Sequence, residues 1–413
     1  MEQEQSAYIT SLHLKGYKSI RDLSVDLKQG LNIIIGANGS GKTNFMEFLD
    51  AAYQPDFGRL LDRRKVECDI KGEPYSVKIK AERAVQNGIK GFHYRVELFK
   101  KLGKLENTSS YFLDEEKRLF REEQSNENLD ELQMLLYENP CTTSLIQYKN
   151  PLNEILKEKL SLGIHKYEGF EDEEGKFPIG SFFEPYLKSS IPLDIFLNRI
   201  FVTHGHEISE NETIIDFIKE ITENNWFPID ELKANLKQFS PIQDIKIDWE
   251  LARRIIQKED DGENATIEGF DFQFFVNAEW ISWSQLSDGT KRLFYLIGSV
   301  TYAENNEIIL MEEPELGIHP HQLSLLMNFI KAQSHDKQII ISTHAPEVLN
   351  CLKEDEIDRI IIARHEGKAG TKMYKLGEKE QKSVQTYMKH QASISDYWLQ
   401  TGFEKEDKEA VEV

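Results

Sequence analysis

Residues 33–44 read IIIGANGSGKTN, and this stretch decides how the surrounding chain folds. Three isoleucines lead directly into residues 36–43, which fit the pattern G-x-x-x-x-G-K-[ST]. Glycines in such a loop bring backbone N–H groups close to an anion, and a following helix adds the positive end of its dipole. Lys42 supplies a charge for the β- and γ-phosphates, and the Thr43 hydroxyl can hold Mg²⁺. The stretch therefore predicts a buried strand, a phosphate-binding loop (P-loop) and a helix, and with them a nucleoside triphosphate site.

The length and composition of the chain predict a folded protein of several units. At 413 residues the chain is long for a single hydrophobic core, so we expect two or three units. No apolar run approaches a membrane span, and the N-terminal residues are too polar for a signal peptide. The cysteines Cys68, Cys141 and Cys351 lie far apart, which is typical of reduced thiols. We therefore expect a cytoplasmic protein that makes no membrane contact.

The net charge of −21 bears on the partners of the protein. A protein that grips nucleic acid over its whole surface normally needs a basic footprint to displace counterions. This chain would repel a duplex on average, although a local basic groove is compatible with the composition. A partner protein with a basic face fits the charge better.

The first hundred residues contain several short runs in which apolar and polar side chains alternate. Such alternation is typical of strands, and it occurs at 8–14, 23–27, 75–81 and 92–99. This part of the chain is therefore predicted to form a mixed sheet around the P-loop. The segment 111–265 differs, because apolar residues recur there at helical spacing within a highly charged sequence. We predict that this segment is a largely helical insertion with acidic surfaces.

The C-terminal third alternates predicted helices with continuous apolar strands. The strand candidates are 308–311, 339–341 and 360–362. Strands that are apolar on both faces must be covered on both faces, so this order predicts a parallel sheet.

Two of these strands end in residues that suit phosphate chemistry. The first is followed by Glu312 and Glu313, and the second by a Ser-Thr pair and His344. Ligands bind at the carboxyl ends of parallel strands, so Glu312 would face Mg²⁺ and Glu313 would act as general base toward water. His344 could reach a γ-phosphate or that water. Each residue alone would also fit an ordinary strand end or cap.

A third motif, LSDGTKRL at 286–293, opens a predicted helix. A serine, a glycine and a helix N-terminus together make a phosphate-binding device. The candidate triphosphate-binding residues of the chain are therefore Gly36, Ala37, Asn38, Gly39, Ser40, Gly41, Lys42, Thr43, Asn44, Ser287 and Gly289.

Taken together, these motifs resemble the ATP-binding-cassette (ABC) type of ATPase. Its elements occur here in the expected order: P-loop, signature (LSDGTKRL), Walker B strand (IILMEEPE) and switch histidine (IIISTHAPE). The resemblance covers roughly residues 8–100 and 270–376. The insertion before the signature is unlike a transporter cassette and is similar to the RecF/SMC-like branch. Within that branch, strings such as LSDGT and EEPELGIHP are typical of the OLD-like ATPases (AAA15 and AAA21 types).

The resemblance implies ATP and Mg²⁺ as cofactors and a mechanism shared between two chains. Cassette heads dimerise head to tail, so Ser287 and Gly289 of one copy would contact the γ-phosphate held by Lys42 of the other. Binding of ATP would close a homodimer or a higher oligomer. Hydrolysis would open it again, with Glu313, His344 and Lys42 as the catalytic residues.

The resemblance also suggests further assignments. Gln147 is a candidate for the glutamine that holds Mg²⁺ together with Thr43 and Glu312. His319 would lie where cassette dimers meet, or it would simply cap the helix that follows it. The signature carries Asp288 where transporters have glycine, and Glu312 replaces the usual aspartate, so we expect slow turnover.

The predicted fold class is thus α/β, an ABC-ATPase head with a mixed sheet and a P-loop core, interrupted by a largely helical insertion. We predict the N-terminal part of the head at 1–110 and the insertion at 111–265. The C-terminal part of the head, with signature, Walker B strand and switch histidine, is predicted at 266–376. An acidic C-terminal tail is predicted at 377–413.

The motifs describe an ATPase for which the sequence shows no effector domain of its own. This is similar to the ATPase subunits of anti-phage systems such as PARIS and Septu. The leading hypothesis is a sensor and scaffold that holds or activates a separate nuclease or toxin in response to a phage-derived trigger. One alternative is a RecF-like repair or maintenance ATPase that clamps DNA directly. Another is a protein that binds ATP only structurally.

Overall fold

The computed structural model describes residues 8–53, 65–73, 75–86, 89–100, 104–114, 119–121, 142–146, 161–167, 182–188, 230–248, 253–259, 262–268, 271–303, 307–390 and 393–403. The chain divides into two compact units. The head unit comprises Met1–Tyr148 and Ala303–Val413, and the inserted unit comprises Lys149–Tyr302.

The described residues form twenty strands, six α-helices and four short 3₁₀ turns. The strands are β1 Tyr8–Tyr17, β2 Ile20–Asp26, β3 Leu31–Ile35, β4 Val66–Glu73, β5 Tyr75–Gln86, β6 Ile89–Lys100, β7 Lys104–Asp114, β8 Leu119–Arg121, β9 Thr142–Ile146, β10 Ser161–Tyr167, β11 Phe182–Lys188, β12 Asp244–Asp248, β13 Arg253–Glu259, β14 Gly262–Glu268, β15 Asp271–Val276, β16 Glu279–Ser282, β17 Glu307–Glu312, β18 Ile339–Thr343, β19 Ile360–His365 and β20 Thr371–Lys375. The helices are α1 Lys42–Tyr53, α2 Asp230–Phe239, α3 Asp288–Thr301, α4 Pro320–Gln333, α5 Glu378–Lys389 and α6 Ile394–Thr401. The 3₁₀ turns are Trp283–Gln285, Pro346–Cys351, Glu354–Arg359 and Gly367–Ala369.

The centre of the head unit is a six-stranded sheet in the order β20-β19-β3-β18-β17-β9. Five of its strands run parallel, namely β19, β3, β18, β17 and β9, and β20 pairs antiparallel with β19 at one edge. All five residues of β3 and all five of β18 are buried. Helix α1 packs against β9, β17 and β18. The continuous isoleucine runs are therefore explained by strands covered on both faces, and the predicted parallel sheet is confirmed.

The second sheet of the head unit is antiparallel and has the order β2-β1-β4-β5-β6-β7-β8. Along β1 the side chains of Ile9, Leu12 and Leu14 are buried, whereas His13 between them is exposed. This alternation is what a sheet with one covered face requires. The strands predicted at 8–14, 23–27, 75–81 and 92–99 are all present in this sheet.

A buried glutamine joins the two sheets. Gln338 lies directly before β18 and is 1% exposed. Its Oε1 accepts from the Ile9 backbone N–H at 2.7 Å, and its Nε2 donates to the backbone carbonyls of Ile9 and Lys28, each at 2.8 Å. The side-chain amide thus forms hydrogen bonds with backbone N–H and C=O groups that are not paired within the sheets.

The inserted unit contains two smaller antiparallel sheets, β11-β10-β14-β13 and β12-β15-β16. Helices α2 and α3 pack against each other, and α2 also contacts β12. Leu232 and Leu236 form the buried face of α2, as their helical spacing predicts.

The insertion differs in two respects from the prediction. Its boundaries move, because β9 pairs with β17 inside the parallel sheet of the head, and because α3 belongs with α2 to the inserted unit. Within 111–265 the described residues are mostly strand, with α2 as their one helix. Charged strands such as β13 show no clear alternation of apolar and polar side chains, so the sequence pattern does not predict them. The other helical periodicities of this segment, near 129–136, 152–160 and 214–221, lie outside the described residues.

The segment predicted as an acidic tail begins with two packed helices. Helix α5 contacts the turn Glu354–Arg359, and α6 contacts the turn Pro346–Cys351. Val384 and Ile394 are buried in these contacts. In the part of the chain that the structure covers, no helix has the length and hydropathy of a membrane span.

Replacing Gln338 by alanine is expected to lower the free energy of unfolding by about 2 kcal/mol, because the buried Ile9 N–H loses its acceptor. Urea unfolding followed by circular dichroism measures the change. The matched control is Gln29→Ala, at an exposed glutamine, which is expected to change stability by less than about 0.5 kcal/mol. Equal effects of the two substitutions would contradict the role assigned to Gln338.

Candidate active site

The P-loop connects β3 to α1, and its glycines serve two different purposes. Gly39 and Gly41 have φ angles of +78° and +95°, a region that side chains with a Cβ disfavour. Gly36 has no such angle. A Cβ on Gly36 would lie 2.2 Å from the backbone oxygen of Ala363 in β19. Gly36 is therefore needed for close packing of the loop on the neighbouring strand, a constraint that the motif alone did not reveal.

Lys42 lies inside the loop and is only 6% exposed. Its Nζ donates to the carbonyl oxygens of Gly36 at 2.7 Å and Ala37 at 3.1 Å. Burial lowers the pKa of Lys42, whereas the charges of Glu313, Glu315 and Glu312 act in the opposite direction. The ammonium group is thus held in a partly desolvated position, where its attraction for a phosphate is stronger than in bulk water.

The remaining loop residues differ in their surroundings. Asn38 and Thr43 are exposed. The buried Ser40 Oγ makes no hydrogen bond to any residue that the structure describes. Asn44 instead has a structural contact, because its Nδ2 donates to Ser19 Oγ at 2.6 Å, and Ser19 Oγ lies 2.7 Å from Thr371 Oγ1. These bonds tie the start of α1 to the β1–β2 turn and to β20.

The carboxyl end of β17 carries Glu312 and Glu313, as predicted. Glu313 has a φ of +44°, in the left-handed region that is uncommon for residues other than glycine. Its N–H donates to the carbonyl of Ser342 in β18 at 2.8 Å, and its carbonyl accepts from Leu316 N–H at 3.1 Å. Strain of this kind is found at functional sites, where the surrounding structure holds the residue in place.

The structure brings the predicted general base and the switch histidine together. His344 Nδ1 lies 3.2 Å from Glu313 Oε1, and the two side chains are 39% and 36% exposed. A carboxylate only accepts hydrogen bonds, so Nδ1 is the donor and carries the proton. The pair thus lies at the ends of β17 and β18, with one face open to solvent.

Glu315, for which no motif predicts a role, lies beside this pair. Its Oε1 accepts from Thr343 Oγ1 at 2.6 Å and lies 3.5 Å from His344 Nδ1. The signal was present in the string EEPE, in which a third carboxylate follows the strand at a fixed distance.

The residues predicted to hold Mg²⁺ suit a cation shared with a nucleotide. Thr43 offers an exposed hydroxyl in the first turn of α1, and Glu312 a carboxylate at the end of β17. Across the described residues no group of three or more His, Cys, Asp or Glu side chains could hold a metal ion. Mg²⁺ in nucleotide sites is generally bound by one or two protein ligands together with phosphates and water, and a hydroxyl and a carboxylate are ligands of the required type. Gln147, the third predicted ligand, lies outside the described residues.

The signature forms the N-terminus of α3 in the inserted unit. Ser287 is the N-cap, and its Oγ accepts from the Thr290 N–H at 3.2 Å. Ser287 and Asp288 are exposed, and Gly289 is partly exposed. Lys291 is buried, and this burial lowers its pKa. The exposed cap therefore presents free helix N–H groups beside a nearby cation, which suits an anionic ligand.

His319 forms the N-cap of α4. Its Nδ1 accepts from the His321 N–H at 3.4 Å, and Pro320 takes the first helical position. The capping alternative for His319 thus describes this structure, and both histidines are exposed.

The chain is similar to known ATPases. The model of the family AAA_15, described as "AAA ATPase domain", matches residues 8–349. A curated relative, "Retron Vc95 probable ATPase" from Vibrio cholerae serotype O1 biovar El Tor, is 22% identical over 84% of this chain and 72% of its own length.

Two solved structures of Smc head domains also match. One, bound to the C-winged helix domain of ScpA, is 16% identical with a TM-score of 0.47, over 91% of this chain and 99% of that chain. Another, with an extended coiled coil and bound to the C-terminal domain of ScpA derived from Pyrococcus furiosus, is 16% identical with a TM-score of 0.46, over 93% and 100%.

Variants at Glu313 are expected to reveal the backbone strain. Since glycine tolerates a positive φ, Glu313→Gly should be more stable than Glu313→Ala by about 1 kcal/mol. Urea unfolding of the two variants measures the difference. The matched control is the exposed Lys382 in the interior of α5, where glycine should be less stable than alanine by roughly 0.5–1 kcal/mol. The same order at both positions would argue against strain at Glu313.

Proposed function

The chain belongs to the AAA_15 family of AAA ATPase domains and is an ATPase with an ABC-type α/β head. We propose that it works as an ATP-dependent dimeric switch. Two copies associate head to tail around ATP. The P-loop with Lys42 and the pair Glu313–His344 of one copy form one side of each site. Ser287 and Gly289 of the other copy form the second side.

The observation that carries this proposal is the open face of the catalytic pair. Glu313 and His344 are each more than a third exposed, although hydrolysis of a phosphoanhydride requires a controlled supply of water. The signature serine lies at an exposed helix N-terminus in the inserted unit. A second copy that places this N-terminus over the γ-phosphate would cover the pair and add helix N–H groups to the phosphate contacts.

In the proposed chemistry Lys42 and the loop N–H groups hold the β- and γ-phosphates. Glu313 accepts the proton of the attacking water, and the adjacent His344 orients that water or the γ-phosphate. Mg²⁺, held by Thr43 and Glu312, would neutralise charge on the phosphates. The left-handed backbone at Glu313 fixes its carboxylate at the end of β17, next to the ring of His344.

We further propose that the switch serves a bacterial anti-phage defence system. A relative named "Retron Vc95 probable ATPase" supports a defence setting, and the net charge of −21 favours a basic protein partner over DNA. In this role the ATPase holds or activates a separate nuclease or toxin, and a phage-derived trigger changes its nucleotide state.

Mixing two inactive variants tests the composite site. Lys42→Ala removes one side of the site and Ser287→Arg the other, so each homodimer should lose at least about 90% of ATP hydrolysis. In a mixed dimer, the intact P-loop of one copy faces the intact signature of the other, which restores one site in two. A 1:1 mixture should therefore regain about a quarter of wild-type activity, since half of its dimers are mixed and each has one active site. Activity that stays at the level of the separate variants would refute the head-to-tail site.

The defence role is tested in cells that carry the gene with its neighbours. Protection against phage, measured as efficiency of plating, should be lost with Lys42→Ala and with Glu313→Gln, while the exposed control Glu378→Gln keeps it. Binding of purified Glu313→Gln protein to DNA in the presence of ATP distinguishes the defence role from a DNA-clamping ATPase. Retention on duplex DNA at physiological salt, together with unchanged plating, would favour a DNA-clamping ATPase.

A further inference from the structure

Glu315 is a buried carboxylate at the edge of the proposed catalytic centre. Its side chain is 7% exposed, although it follows Glu313 by only two residues. Oε1 accepts from Thr343 Oγ1 at 2.6 Å and from the His344 backbone N–H at 3.3 Å. A single carboxylate oxygen therefore binds the last residue of β18 and the residue after it.

Thr343 extends this anchor into the turn that follows β18. While its Oγ1 donates to Glu315, it accepts from the Ala345 backbone N–H at 2.9 Å. The hydroxyl thus bonds to Glu315 and to the backbone of the residue that follows His344. As a result, the backbone that carries the histidine is held from the turn after β17.

Glu315 also affects the ring of His344. Its Oε1 lies 3.5 Å from Nδ1, and Glu313 Oε1 lies 3.2 Å from the same nitrogen. Two carboxylate oxygens around one ring nitrogen require that this nitrogen carry the proton, because ionised carboxylates cannot donate. In the neutral ring Nε2 is then the acceptor, which is the nitrogen turned away from both carboxylates.

The burial of Glu315 is costly, which argues that its charge has a use. Oε2 is buried and receives no hydrogen bond from the residues that the structure describes. A buried oxygen of this kind destabilises the fold unless a nearby cation compensates. The charge of Glu315 does interact with the Lys42 ammonium.

We propose that Glu315 is the positioning residue of the hydrolytic site: it holds His344 in its orientation and in the Nδ1–H tautomer beside Glu313. This inference rests on the proposed function: in this tautomer Nε2 is an acceptor, so His344 acts in hydrolysis by accepting a hydrogen bond from the attacking water, and a γ-phosphate oxygen, itself an acceptor, cannot bond to that nitrogen. Glu315 itself acts through His344 and does not touch the reacting atoms.

The tautomer of His344 gives a test that does not depend on activity. Nitrogen NMR of protein labelled with ¹⁵N-histidine, assigned with His344→Ala, should show the Nδ1–H form in the nucleotide-free wild type. Glu315→Gln weakens the acceptor at Nδ1 and should give a measurable share of the Nε2–H form. The matched control Glu347→Gln, an exposed glutamate three residues beyond His344, should leave the wild-type spectrum. An unchanged tautomer in Glu315→Gln would overturn the proposal.

Kinetics of the double variant give the second measurement. Glu315→Gln should lower kcat for ATP hydrolysis at least tenfold with KM changed less than about twofold, since ATP binding uses the P-loop. On the His344→Ala background the same substitution should have no further effect on kcat. Additive losses would mean that Glu315 acts without His344 and would overturn the inference. If His344→Ala alone has wild-type kcat, the proposed role of His344 fails, whereas the tautomer experiment still decides whether Glu315 positions the ring.

Thr343→Val covers the case in which Glu315→Gln does not fold. Valine keeps the shape of threonine and leaves the charge of Glu315 in place, but it removes the hydroxyl that anchors Oε1. It should shift the His344 tautomer and lower kcat in the same direction. Wild-type behaviour of a folded Thr343→Val protein would contradict the anchor.

Discussion

The confinement of the Lys42 ammonium is the interaction on which the head unit depends. The charge is buried in a loop whose carbonyls accept from it at 2.7 Å and 3.1 Å. A buried cation with only neutral acceptors would destabilise the fold. The carboxylates at and after the end of β17, those of Glu313, Glu315 and Glu312, favour the charged form of Lys42. The charge of Lys42 is thus coupled to the carboxylates at the end of β17, which links the P-loop to the proposed catalytic carboxylates.

The geometry of parallel strands explains why these groups meet. Strands β3, β18 and β17 are adjacent and parallel, so their carboxyl ends lie along one edge of the sheet. The P-loop follows β3, His344 follows β18, and Glu312 and Glu313 lie at the end of β17. The close packing of Gly36 on β19 holds the P-loop at this edge, whereas Gln338 joins the sheet to β1 at the opposite, amino end of β18.

The two proposals describe different levels of control over the same site. Covering of the open Glu313–His344 pair by a second copy would decide when water is activated. The buried Glu315 would decide in which form the histidine meets it. Glu315 is kept in the protein interior although its Oε2 has no hydrogen-bond partner among the described residues, as expected where function is maintained at the expense of stability.

Motif order and apolar periodicity were sufficient for the fold of the head, because continuous isoleucine strands and a complete P-loop specify local structure strongly. Several strands of the inserted unit could not be read in this way: the charged β13 lacks a clear period, and β10 pairs with β14 about 100 residues further along the chain. For the same reason the sequence placed a boundary before β9, whose partner β17 lies about 160 residues further along the chain.

The sequence by itself determined the P-loop, the glutamates at the end of β17 and the position of the histidine after β18, since each lies in a short motif with its own physical signature. Only the tertiary structure decided that Gly36 is required by β19, that Asn44 binds Ser19, and that Glu315 contacts Thr343 and His344. These contacts join segments that are distant along the chain. No local pattern can record them, because they arise only when strand ends from separate parts of the sequence lie side by side.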